Sequence, residues 1–431
     1  MSVTAVDIVR LLKTDPPSQP IFPRLSSGPR KMEAEQVARN QRGRLQGAMV
    51  EAVARHGFHD TTLRELVGLA GVSKSTFYEH FENKQDCFLA TLDYIALEVA
   101  RRTDNAFDRP GDLRERMTAG VTTLLTVIAE EQGAASLVTV ESLTLGAAAV
   151  PHRERSAAHF QELIRRVFEE SGSQAVTEMT VRGIIAGIRN TAYHHLREGR
   201  GAELPAAAPG IVEWILCFDR PAGEIARSAA QAATRPAKRP PAAPEPDPDL
   251  LDKRERIACA ATEQAFERGY EALSIPGIAS AAGVSNQTFY DNFPGKQEAF
   301  LAGFDRIAQE TMEMVAAAAA AEKPGPEAVG AGLRALLERA AEDELFARLA
   351  FFELPMAGPA GLDRADRTLG GFASLFGPQA APEDSEAPPV MLKAISGGTW
   401  AVVQHEIAEG RREQLPQVAP EVVEFALAAF G

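Results

Sequence analysis

The segment GVSKSTFYEHFENK begins at Gly71, and GVSNQTFYDNFPGK begins 212 residues later at Gly283. Self-similarity at a fixed offset marks a repeated structural unit, so the chain is constrained to a tandem architecture before any motif is interpreted. The correspondence continues along the chain: Gly57-Phe58 matches Gly269-Tyr270, Thr62 matches Ser274, Leu66 matches Ile278, and Glu141 matches Glu353. Gly146, Arg155 and Phe160 pair with Gly358, Arg367 and Phe372. Near the ends, HHLREGRGAELPAAAPGIVEW aligns with HEIAEGRREQLPQVAPEVVEF at an offset of 211, the drift of a one-residue deletion.

Each repeat reads as all-α. RLQGAMVEAVARHG places Leu45, Met49, Ala52 and Val53 at helical spacing and stops at Gly57; RERIACAATEQAFERGY repeats this with Ile257, Ala260, Ala261 and Phe266 before Gly269. No run of alternating strands is present. Between the blocks, Thr234 to Asp249 contains six prolines and predicts an extended spacer. The expected organisation is an arm over 1–40, a first head over 41–88, and a first helical body over 89–233. The spacer covers 234–249, a second head 250–300, and a second body 301–431.

Within TTLRELVGLAGVSKSTFYEHFENKQD, Thr61 or Thr62 can cap a short helix with Leu63, Leu66 and Val67 on its apolar face. Gly71 permits a sharp reversal and Ser73 caps a second short helix. This is a helix-turn-helix, whose second helix enters the DNA major groove with its N-terminal residues nearest the base edges. Lys74, Ser75 and Thr76 then fall in reading position, Tyr78 and His80 near the backbone, and Lys84 at the next helix start, where an ammonium can meet a phosphate. In the second copy Ser274 caps, Asn286, Gln287 and Thr288 read, and Tyr290, Asn292 and Lys296 follow. Arg44 and Arg254 supply positive charge on the preceding helices. Asn and Gln suit adenine, whereas Lys suits guanine, so the positions that differ are those expected to touch bases.

Over about 45 residues in each copy these motifs resemble the tetracycline-repressor (TetR) family. The resemblance implies a three-helix DNA-binding domain, a long linking helix from Lys84 or Lys296, and a helical ligand-binding and dimerisation domain. It implies a repressor released from its operator by a small-molecule effector, with Thr62, Lys74, Ser75, Thr76, Tyr78 and Lys84 on DNA-facing positions. Ser274, Asn286, Gln287, Thr288, Tyr290 and Lys296 are their counterparts. Family dimers pair through their last two long helices, here about 175–199 with 207–230 and about 388–410 with 418–430. Two units in one chain predict instead an intramolecular pseudo-dimer, with further homodimerisation open. A spacer of this length, at roughly 3.1 Å per residue, spans about 50 Å, enough to connect the end of one half to the head of the other.

The net charge of −14 opposes non-specific nucleic-acid binding, but residues 24–44 carry a local surplus of four positive charges and DKRER a surplus of one. Cys87, Cys217 and Cys259 are too dispersed for a disulfide framework and fit a reducing cytoplasm. No apolar run is long enough to span a bilayer, no cofactor motif or metal-ligand spacing is present, and no nucleophile–base constellation indicates an enzyme. The pair His194-His195 reads as polar helix surface, and Glu130-Glu131 and Glu169-Glu170 as solvated faces. Phe107, Phe160, Trp214, Phe351, Phe352, Phe372 and Trp400 read as ordinary core, so effector residues stay unassigned. The rival reading is a helical protein-interaction scaffold with one or both heads vestigial.

Overall fold

The computed structural model describes residues 34–173, 176–239, 251–380 and 389–430, and every regular element among them is helical. The first repeat runs α1 (Ala34–Asp60), α2 (Leu63–Ala70), α3 (Lys74–His80), α4 (Lys84–Phe107), α5 (Leu113–Glu130), α6 (Gln132–Thr139), α7 (Val150–Glu170), α8 (Glu178–Arg197), α9 (Ala208–Leu216) and α10 (Glu224–Ala232). The second runs α11 (Lys253–Arg268), α12 (Ile275–Ala281), α13 (Asn286–Asn292), α14 (Lys296–Ala320), α15 (Pro326–Glu342), α16 (Glu344–Arg348), α17 (Gly358–Ala380), α18 (Pro389–Ala408) and α19 (Leu415–Leu427).

The all-α expectation holds. Two local details differ from it. The helix expected over 207–230 is interrupted between α9 and α10, because Pro221 has no N–H to continue the ladder. Helix α1 begins at Ala34, inside the stretch expected to be an arm; the rest of that arm, 1–33, lies outside the described residues.

Compactness does not follow the repeats. One unit comprises the residues up to Val176 together with Ile188–Leu216; the other comprises Thr177–Gly187 and everything from Cys217 onward. In the first unit α4 packs on α1, α5 and α7, and the head α1–α3 closes on Leu45, Met49, Leu66, Phe77, Phe81 and Phe88.

In the second unit α14 packs on α11, α15 and α17, and α19 lies against α15 and α18. Helix α10, which comes from the first repeat, packs on both α15 and α19. The approach is close: a Cβ at Gly330 of α15 would overlap the Ala229 carbonyl of α10. The Phe218 ring stacks on Phe425 with centroids 5.1 Å apart, and the start of α8 reaches α18 and α19 through Gly183, beside Gly398 and Phe425.

The first residues of the expected spacer are tied down. Arg239 pairs with Glu342 at 2.7 Å and with Glu338 at 3.2 Å, and Lys238 with Glu322 at 2.8 Å. Residues 240–249 of that spacer lie outside the described residues.

Candidate nucleic-acid interface

Both heads are assembled by the same local chemistry. The Thr62 side chain accepts the Glu65 N–H at 3.2 Å, and Ser274 accepts the Gly277 N–H at 3.3 Å. These caps satisfy amide groups that the first helical turn leaves without partners. Gly71 (φ 61°) and Gly283 (φ 64°) then turn the chain in the left-handed region, where a Cβ would be strained. The Val72 N–H donates to the Val67 carbonyl at 3.1 Å and the Val284 N–H to the Ala279 carbonyl at 2.9 Å, closing each turn. Ser73 and Ser285 accept the Thr76 and Thr288 amides at 3.0 and 3.1 Å and so start α3 and α13.

On each second helix the alternation of inside and outside is sharp. Phe77 and Phe289 are fully buried, while Tyr78 and Tyr290 are 58% and 55% exposed, unusual for tyrosines with no packing role. Lys74, Ser75, Asn286 and Gln287 are exposed, and Thr76 and Thr288 partly so. The expected reading residues therefore share one open edge in each head. Gln287 donates to Asp291 at 2.9 Å, and Asn292 donates to the Thr288 carbonyl at 2.8 Å, so both amides already hold an internal partner. His80 Nε2 lies 3.2 Å from Gln41 Oε1, and burial, with Arg42 nearby, lowers its pKa.

Three cations expected to face DNA hold other partners. Lys84 Nζ donates to the carbonyls of Phe58 at 2.7 Å, Thr61 at 2.8 Å and His59 at 3.2 Å, and sits 4.3 Å from the Phe58 ring centre. Lys296 Nζ does the same with Leu273 at 3.0 Å and Glu271 at 3.3 Å, over the Tyr270 ring at 5.3 Å. The Lys84 ammonium thus caps the carbonyl-rich end of α1, where a cation is favoured by the helix dipole, whereas Lys296 holds the short turn that follows α11. Arg44 is 9% exposed and donates to the Gly71 carbonyl at 2.9 Å, bracing the turn rather than facing outward.

Arg254 remains exposed, lying 4.1 Å over the Phe293 ring and donating to the Asn292 carbonyl. Its repeat partner is Arg42, 4.8 Å over Phe81, which the sequence reading passed over although the offset of 212 marks it.

A second missed pair joins each head to its own body. The Phe58 N–H donates to Glu141 Oε2 at 2.9 Å, and the Tyr270 N–H to Glu353 Oε2 at 2.8 Å. In both heads this amide follows a glycine with positive φ, Gly57 (76°) or Gly269 (85°). Burial raises the Glu141 pKa, the backbone bond opposing it.

Among the described residues no group of His, Cys, Asp and Glu could hold a metal ion, and no helix is long and apolar enough to cross a membrane. His195 is buried and its Nδ1 lies 2.8 Å from the Thr191 carbonyl of its own helix.

These two heads define a helix-turn-helix DNA-binding protein with its module in duplicate. The family model for bacterial regulatory proteins of the tetR family matches residues 48–91 and again 257–302. Over those two segments, which carry the heads, the chain is similar to that family of transcriptional regulators. It is 25% identical over 176 residues to the HTH-type transcriptional activator FasR of Mycolicibacterium smegmatis, a match covering 40% of this chain and 80% of that protein. Among solved structures, the fatty acid degradation regulator FadR of Bacillus halodurans aligns at 16% identity and TM-score 0.38, covering 41% of this chain and 94% of that one. FadR of Bacillus subtilis, solved in complex with stearoyl-CoA, aligns at 15% identity and TM-score 0.37, covering 40% and 96%.

Proposed function

We propose that one polypeptide presents both reading heads to a single operator, acting as an intramolecular pseudo-dimer whose DNA affinity is set by a small-molecule effector. The carrying observation is the pair of equivalent open edges: Lys74, Ser75, Thr76 and Tyr78 in one head, Asn286, Gln287, Thr288 and Tyr290 in the other. Thr62 and Ser274 stand beside them as helix caps with exposed side chains, and Arg42 and Arg254 supply cations on the preceding helices. Lys74 has no counterpart in α13, whose only charged side chain is Asp291. The two half-sites therefore differ, a guanine-type contact being expected at one and adenine-type contacts at the other.

The internal pairing is supported by the composition of the second unit, which incorporates Thr177–Gly187 and α10 of the first repeat. Segments that build another repeat's core are not free to pair with a second molecule. Covalent linkage also raises the effective concentration of one half for the other to about the millimolar range.

The test is selection of binding sites from random duplex DNA, with the mass of the complex measured in solution. One chain on a site with unequal halves is the expected result. A perfect palindrome occupied by two chains would overturn the reading.

A further inference from the structure

The single charged side chain of α13 stands where a negative charge is unwelcome. Asp291 is exposed, as is Gln287 one turn before it. Residues four apart share one face of a helix. Gln287 Nε2 donates to Asp291 Oδ1 at 2.9 Å. Among the described residues the Asp291 side chain has no other partner and makes no ion pair. A carboxylate on a DNA-facing edge opposes binding, because phosphates supply most of the attraction. Its exposure leaves it no packing role.

The bond to Gln287 gives it one. A glutamine amide offers one acceptor oxygen and two N–H donors. Adenine uses the oxygen, which accepts from N6, and one N–H, which donates to N7. Guanine presents two acceptors at that edge, O6 and N7, and so suits an amide that turns both N–H groups toward it. In α13 one N–H is already committed to Asp291. A carboxylate accepts only from the nitrogen end, so the bond also fixes which way round the amide lies. Gln287 Oε1 has no partner among the described residues, and with the second N–H it makes the set that adenine needs. Holding a long side chain in place beforehand also lowers the entropy lost on binding.

The first head has no such pair. The offset of 212 puts Ser75 in place of Gln287 and Glu79 in place of Asp291. Ser75 has no amide to orient, and among the described residues the Glu79 side chain makes no hydrogen bond or ion pair.

We propose that Asp291 is a positioning residue for base recognition by the second head: by holding one N–H of Gln287 it sets the amide for adenine and withholds it from guanine. This rests on the DNA-reading role proposed above and deepens it at one base pair.

The experiment uses the full chain and duplexes from the selection described above. Fluorescence anisotropy measures affinity for all four bases at each position. The base pair read by Gln287 is the one at which Q287A loses preference. There the wild type should favour adenine over guanine about tenfold. D291A should cut that ratio about threefold or more, while binding every duplex more tightly through loss of a like charge. D291E keeps the acceptor and should hold the ratio within about twofold. In a Q287A background D291A should leave the ratio unchanged, as expected of a residue that acts through another. An unaltered ratio in D291A, an equal loss in D291E, a further loss in Q287A/D291A, or a Q287A chain that keeps every preference would overturn the proposal. So would loss in D291A of a cytosine preference at a neighbouring position, which would make Asp291 itself a reader. A chain that binds no duplex fails both readings. One that binds, with Q287A altered and D291A silent, fails this inference alone.

Discussion

Replacing Lys84 by methionine distinguishes an ammonium that holds the protein together from one that holds DNA. The side chain donates to three main-chain carbonyls at the end of α1. Hydrogen bonds to a charged group contribute about 1.5–3 kcal/mol, and orphaned acceptors add a further penalty. Two effects reduce the total. The site is only partly buried, so water replaces some of the lost donors, and burial lowers the Lys84 pKa, which reflects a desolvation cost already offset against the gain. A net loss of about 2 kcal/mol follows, or roughly 4–8 °C in melting temperature for a unit of about 200 residues. Lys296 reaches two carbonyls, the longer at 3.3 Å, so K296M should lose less. The assay is scanning calorimetry, paired with the salt dependence of DNA affinity below the transition. A phosphate contact would instead lower the slope of log K against log salt by about one. An unchanged melting temperature with that reduced slope would refute the capping argument.

Glu131 has its pKa raised to about 7, chiefly by burial, with Arg102 opposing. A carboxyl whose folded pKa lies above its unfolded value favours the folded state at low pH, so stability from this group falls as pH rises from about 4.5 to about 7. E131Q should flatten that dependence in urea melts at pH 5 and pH 8, and a steeper dependence in the variant would reverse the assignment. G330A should loosen α10 from α15 and lower the second unit's melting temperature, since the added methyl meets the Ala229 backbone rather than a movable side chain. F289A should cost about 3–5 kcal/mol and unfold the second head, seen as lost amide protection over α12 and α13. K74A and Q287A should change the preferred half-site while leaving the salt slope within about one unit, which parallel site selections would check.

The amino-acid sequence by itself determined the tandem plan and the local build of each head. Caps at Thr62, Ser73, Ser274 and Ser285, turns at Gly71 and Gly283, and the inward Phe77 and Phe289 are interactions within a few residues, so the pattern of side chains reveals them. The break near Pro221 departs from the single helix expected over 207–230, although the proline that accounts for it stands in the sequence. Tertiary structure decided where the cations go. The partners of Lys84, Lys296 and Arg44 are backbone carbonyls, which every residue carries and no side-chain pattern distinguishes. It likewise decided that α10 leaves its own repeat to join the second unit. Those outcomes depend on long-range packing of helices whose apolar faces fit more than one neighbour.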